Sequence, residues 1–261
     1  MKRYLKLWLF LTGASFSSQL QSRFGSALFL LGKLLRFFFF LVFLLVLSDR
    51  TKSIAGYTVA QTVLFFLTFN LIDVTAQMFL RGVYLFRELV VTGNFDYVLA
   101  KPIHPLFQIL ANNTDVLDLI TLPPLLLAVI YMVPKSVEHI TFVGVVSYVL
   151  LFINAFLIAL SLHILVVSIG VLTTEVDNTI MLYRDLTSMG RLPVDIYREP
   201  LRAVVTFAIP VGVMMTFPAK ALMGLLSLPM VGISLALGMI FLLGSLSFWR
   251  FAVKRYTSAS S

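Results

Sequence analysis

His104, His139 and His163 are the only histidines in the chain, and cysteine is absent. Without thiols there is no disulfide, no thiolate metal site and no cysteine nucleophile. The three imidazoles fall on two separate loops and inside an apolar run, so they cannot share one metal ion. Gly32-Lys33 is the one Gly-Lys pair. It sits within an apolar run and lacks the glycine-rich loop and the following Ser or Thr of a phosphate-binding loop. No catalytic constellation, metal site, cofactor site or nucleotide site is therefore expected.

What remains is polar chemistry inside apolar runs. Asn70, Asp73 and Gln77 recur at intervals of three and four and share one helix face. Lys33 and Arg36 lie three apart in the preceding run. Asp177, Arg184, Ser188, Arg191 and Asp195 form a third stripe, with Asp185 beside it. An ionisable group at the centre of a membrane helix costs roughly 2.5–3.5 kcal/mol on insertion scales, so such residues are the functional candidates. With the ends of the two runs near Phe24 and Leu80, Lys33 and Asp73 differ in depth by about 3 Å at the helical rise. A Lys33–Asp73 pair is feasible, the alternative being that Lys33 and Arg36 reach to the headgroups. Asn154 and His163 read as partners in helix–helix hydrogen bonds. Phe37 to Phe40 read as lipid-facing or interhelical packing.

The elements that position these groups follow from composition. The 261 residues are 59% hydrophobic and 12% charged, with 24 Phe and a net charge of +8. A globular chain carries roughly twice that share of charge, so the solvent is lipid. Because the cations flank apolar runs, nucleic acid is not an expected partner. A crossing takes ~20 apolar residues, and 24–47, 57–80, 115–133, 142–172 and 229–249 qualify, with Pro123-Pro124 tolerated in the third. Residues 1–22 are basic, aromatic and only briefly apolar, and read as an uncleaved helix at the membrane interface. Lys2, Arg3, Lys6 and Arg23 precede the first span, Arg81, Arg87 and Lys101 follow the second, and Arg250, Lys254 and Arg255 follow the last. The positive-inside rule puts all three groups, and both termini, in the cytoplasm. Parity then requires six spans. Either 177–197 or 203–222 supplies the fifth.

Between spans two and three runs FRELVVTGNFDYVLAKPIHPLF, residues 86–107. It predicts two short helices about a Gly93-Asn94 turn, stopped by Pro102 and Pro105. It is too apolar for a loop facing only water, and calls for a partner or the membrane interface.

This stretch, with GRLPVDIYREPLRAVVTFAIPV (190–211) and WRFAVKRYTSAS (249–260), resembles the six-span permeases of the ABC-2 class of ABC transporters. The resemblance covers essentially the whole chain. It implies a single all-α transmembrane permease domain over 1–261: an interfacial helix (1–22), six spans, a cytoplasmic coupling segment (84–101) and outer re-entrant helices (198–226), with 177–197 as the fifth span. It further implies an exporter subunit in the bacterial inner membrane, paired with an identical or related permease, and driven by separate subunits that bind ATP and Mg. Glu88, Leu89, Gly93, Asn94, Phe95, Asp96 and Tyr97 would couple to the ATPase. Lys33, Arg36, Asn70, Asp73, Arg184, Asp185 and Arg191 would line the path. The rival is a secondary transporter or channel using Asp73, Lys33 and Arg184 as ion-coupling groups, although the two halves lack the internal similarity of many such carriers.

Overall fold

A computed structural model describes residues 2–21, 23–51 and 53–257. Residues 1 and 22, the limits of the expected interfacial helix, and 258–260, the tail of the C-terminal motif, lie outside the described residues. The rest is an all-α polytopic assembly. Among the described residues, five helices are long and apolar enough to cross a membrane: α2 (Arg23–Thr51), α3 (Val59–Leu80), α7 (Val116–Ser136), α8 (Phe142–Thr173) and α12 (Leu228–Lys254). They sit on the five apolar runs read from the sequence.

Three of them start at side-chain caps that satisfy free amides of the first turn. Thr58 and Gln61 form a reciprocal capping box on α3. Asp115 accepts from the Leu117 and Asp118 amides on α7, and Thr141 accepts from the Gly144 amide on α8. Helix α7 continues through Pro123 and Pro124 as expected. α3 is the hub of the bundle: 72% of its apolar window is buried, against 6% for α2, which therefore stands at the periphery.

Shorter elements join these helices. α1 (Lys2–Gln21) lies across the end of the bundle defined by Leu80, Thr173 and Lys254, here the basal end. There Trp8 stacks on Phe79, Tyr4 meets Phe107 edge-on, and the Thr12 hydroxyl bonds that of Thr114 at 3.0 Å. α3 passes through a 3-10 turn, Arg81–Leu85, into α4 (Phe86–Val91), α5 (Phe95–Ala100) and α6 (Pro105–Ala111).

α8 and α12 are the most extensively packed pair, and they run parallel. Asn154 Nδ2 donates to the Ser234 carbonyl at 2.8 Å, while Trp249 of α12 shares a buried cluster with Val167 and Val171 of α8. The contact depends on Gly238, where a Cβ would fall 1.9 Å from Asn154 Oδ1. The interhelical bond expected of Asn154 is present. His163 behaves differently: Nδ1 pairs with the Ala159 carbonyl of its own helix at 2.8 Å. Across the interface the rings of Tyr183 and Tyr84 pack beside it, and its Nε2 has no hydrogen-bond partner among the described residues.

Because α8 and α12 both descend to the basal end, the chain between them must climb once. α9 (Val176–Ser188) does so. Asp177 meets Arg87 at the basal end, and Asp195, beyond the 3-10 turn Met189–Arg191, meets Tyr57 at the distal end beside the start of α3. Helix α9 is shorter than the 177–197 span read from the sequence, since Pro193 and a second 3-10 turn, Val194–Ile196, break the climb. α10 (Leu201–Ala208) and α11 (Gly212–Leu222) meet at 77°. Length and apolarity would allow this pair to count as one crossing, but both of its ends are distal. Lys220 pairs with Asp195, and the Ala221 and Leu222 carbonyls lie against Gly144 at the start of α8. Near the apex, Ile209 and Val211 border a crevice shared with Leu162 and Leu186, part way down the bundle. The pair therefore folds back on itself as a hairpin with both ends at the distal side.

Candidate functional site: two cavities, two charge networks and a basal elbow

α2 makes few contacts with its neighbours and leaves space on both sides of the Asn70–Asp73–Gln77 face of α3. On one side a cavity of about 340 Å³ is bordered by Arg36, six phenylalanines, and Arg184, Thr187, Ser188 and Arg191 of the α9 limb. On the other side a cavity of about 290 Å³ is bordered by Lys33, Arg36, Asp118, Thr121 and apolar residues of α7. Arg36, Phe37, Asn70, Asp73 and Gln77 border both. The expected path residues Arg36, Asn70, Asp73, Arg184 and Arg191 thus converge on the first cavity, and Lys33 on the second. Asp185 is exposed and borders neither, because it lies one residue off the stripe. Phe37 and Phe40 pack on Phe66 at ring distances of 5.3 and 4.4 Å, whereas Phe38 faces outward.

The expected Lys33–Asp73 pair does not form. Lys33 Nζ contacts Asp118 and lies 3.7 Å from Asp115 Oδ2, to which Arg81 Nη1 also reaches at 3.3 Å. Asp73 Oδ2 accepts instead from Gln77 Nε2, one turn on, at 2.9 Å. Similar depth does not put two groups at the same azimuth, and the first turn of α7 presents two carboxylates where α3 presents one. In the sequence, Asp115 and Asp118 form an i, i+3 acidic pair opening the third span, which is the signal for this network. Phe29 completes the network as a cation–π partner of Lys33, 4.7 Å from its ring centroid.

A second network ties the distal end. Lys220 Nζ lies 2.8 and 2.7 Å from the two Asp195 oxygens, and the Tyr57 hydroxyl donates to Oδ2 at 3.0 Å. Burial, reinforced by the Asp195 carboxylate, raises the Tyr57 phenol well above its usual range, so it stays protonated as a donor. Together these bonds fasten the end of the α9 limb, the return leg of the hairpin and the entry to α3. Lys220 is the one cation inside the apolar stretch 203–222, a signal that a missing partner lay elsewhere.

The basal elbow, α4 and α5, turns at Thr92-Gly93-Asn94, with Gly93 at φ 73°, a left-handed value that suits glycine. Its inner face is welded to the bundle. Phe86 and Phe95 are fully buried, meet edge to face at 5.3 Å, and share a cluster with Val171, Val176, Ile180 and Trp249. Its outer face presents Glu88, Val91, Asn94 and Tyr97, with Leu89 and Gly93 half-buried. Phe95, read from the sequence as a contact for a partner, is instead a core residue closed in by Tyr256 at 4.9 Å and Trp249 at 6.4 Å. Tyr97, two positions on, is 71% exposed. Asp96 is half-buried and partnered within the chain. Arg87 pairs with Asp177 at 3.4 Å across the solvent-facing junction of elbow and α9, an exposed contact that contributes ~0–1 kcal/mol.

Compared with known proteins, the chain matches one family model, described as an ABC-2 family transporter protein, over residues 33–260. No curated protein and no solved structure matches.

Proposed function

The chain belongs to the ABC-2 family of transporter proteins, and on that footing we propose that it is the membrane-spanning permease subunit of an ATP-driven exporter. ATP and Mg are bound by separate subunits that dock at the basal end. The observation that carries this reading is the elbow: a rigid, buried base of Phe86 and Phe95 beneath an exposed aliphatic and aromatic face of Val91 and Tyr97. Exposed apolar groups on a fixed support suit a protein partner better than solvent.

The basal end is cytoplasmic, and the basic residues that follow the second and last spans support that orientation. When the ATPases close, they push on the outer face of α4 and α5. Because Phe86 and Phe95 pack against α8, α9 and α12, the push moves those helices as a body. The α9 limb carries the movement to Asp195 and so to the hairpin, which gates the distal mouth. The permease itself contributes no chemical step. A second permease chain, identical or related, and bilayer lipid cover the exposed face of α2. The setting is a bacterial inner membrane with both termini cytoplasmic.

Purification of the tagged chain in mild detergent tests the proposal. An ATPase subunit should accompany the native chain and be lost with Val91→Asp or Tyr97→Ala. Transport by the purified chain with no ATPase attached would refute it and favour a secondary carrier.

A further inference from the structure

The cavity between α2, α3 and α9 is electrically unbalanced. Arg36, Arg184 and Arg191 border it, and none of their guanidinium groups forms an ion pair or hydrogen bond among the described residues. Asp73, the only carboxylate on its wall, is engaged by Gln77. Three positive groups stand against one negative. The remaining lining is dominated by phenylalanine, with Phe37 and Phe40 packed on Phe66 into a continuous aromatic wall.

All three arginines are exposed along the cavity, and a guanidinium in an apolar membrane setting is expensive to leave unpaired. They present a planar fork that matches carboxylate, phosphate or sulfonate oxygens. Arg184 and Arg191 are seven residues apart along the α9 limb, two turns or about 10 Å at the helical rise. Asp73 repels an anion placed against α3, which draws the head group toward α9 and leaves the phenylalanines of α2 for an apolar body. The volume of about 340 Å³ falls within the range of small-molecule sites.

We propose that this cavity binds an amphipathic anion, its acidic head held by Arg36, Arg184 and Arg191 and its apolar body laid against the phenylalanine wall. The transporter reading decides only whether that ligand is cargo or resident lipid; binding requires no ATPase. A cationic amphiphile is rejected by the same three charges.

The test uses the full-length chain in nanodiscs of phosphatidylcholine and the fluorescence of dansyl-labelled undecanoic acid. Its uncharged methyl ester and its amine counterpart serve as controls. The acid should bind at least about tenfold more tightly than the amine, a comparison that needs no variant. Arg184→Gln and Arg191→Gln should each weaken the acid several-fold and leave the amine no weaker, and Arg184→Lys should retain most of the acid binding. Equal affinity for acid and amine, or indifference to all these variants, overturns the proposal. Native mass spectrometry of the detergent-purified chain separates the two sources. Anionic phospholipid enriched on the native chain and lost with Arg36→Gln/Arg184→Gln assigns the site to bilayer lipid; acid binding without such enrichment assigns it to a transported amphiphile. If the acid binds but no ATPase co-purifies, the coupling reading fails and this one stands.

Discussion

Phe95 and Tyr97 lie two positions apart on one short helix, and replacing each with alanine should give opposite results. Phe95 is fully buried against Phe86, Trp249 and Tyr256. Truncation there leaves a cavity that joins the roots of α4, α5 and α12, and a buried Phe→Ala change costs about 3–5 kcal/mol. For a chain of this size that is a fall in melting temperature on the order of 10 °C. Tyr97 is 71% exposed, so its truncation should change stability by no more than about 0.5 kcal/mol. Thermal unfolding of both variants in the same detergent, followed by intrinsic fluorescence, measures the first contrast. Pull-down of the proposed ATPase subunit measures the second: Tyr97→Ala should lose it at full stability, and Phe95→Ala should lose it only as the elbow melts. If Tyr97→Ala proved as destabilising as Phe95→Ala, or if it kept its partner undiminished, the division of the elbow into a packed inner face and a docking outer face would be wrong.

Gly238→Ala places a methyl group on Asn154 Oδ1 and should cost about 1–3 kcal/mol, which Asn154→Ala in the same chain should partly restore, as read by thermal unfolding. In double-mutant cycles Lys33 should couple to Asp118 by on the order of 1–3 kcal/mol and to Asp73 by almost nothing; the reverse would restore the pair inferred from depth. A single cysteine at Thr92 should be labelled by a membrane-impermeant maleimide only from the cytoplasmic side, and one at Arg198 only from outside. Labelling of both from one side would mean that the α9 limb does not cross.

The apolar runs made five of the long helices legible, because twenty residues of one character leave little choice of structure in lipid. The climbing α9 limb was legible only as a stripe, since Asp177, Arg184, Ser188, Arg191 and Asp195 keep helical spacing while breaking the apolar run. Which side of the elbow Phe95 faces was not legible: two helices of six residues each are too short for periodicity to separate inner from outer. The partner of Lys33 was lost for another reason. Position along a helix gives depth, but the angle around the axis, which chose Asp118 over Asp73, is set by packing between helices distant in sequence.

The polarity of α9 bears on how the protein is made. Segments leaving the ribosome are admitted to lipid largely on their own apolarity, and this limb, with Arg184 and Arg191 on it, does not pass that test alone. As a crossing it would enter as the second leg of a pair led by α8, an apolar helix of 32 residues. Lys220, the cation that holds its upper end, is synthesised 25 residues after Asp195. Until then the limb is a guest of α8 without a distal anchor. The polar wall of the cavity beside α9 would consequently be among the last parts of the molecule to set, and a nascent chain halted before Lys220 would expose that wall to the quality-control machinery of the membrane.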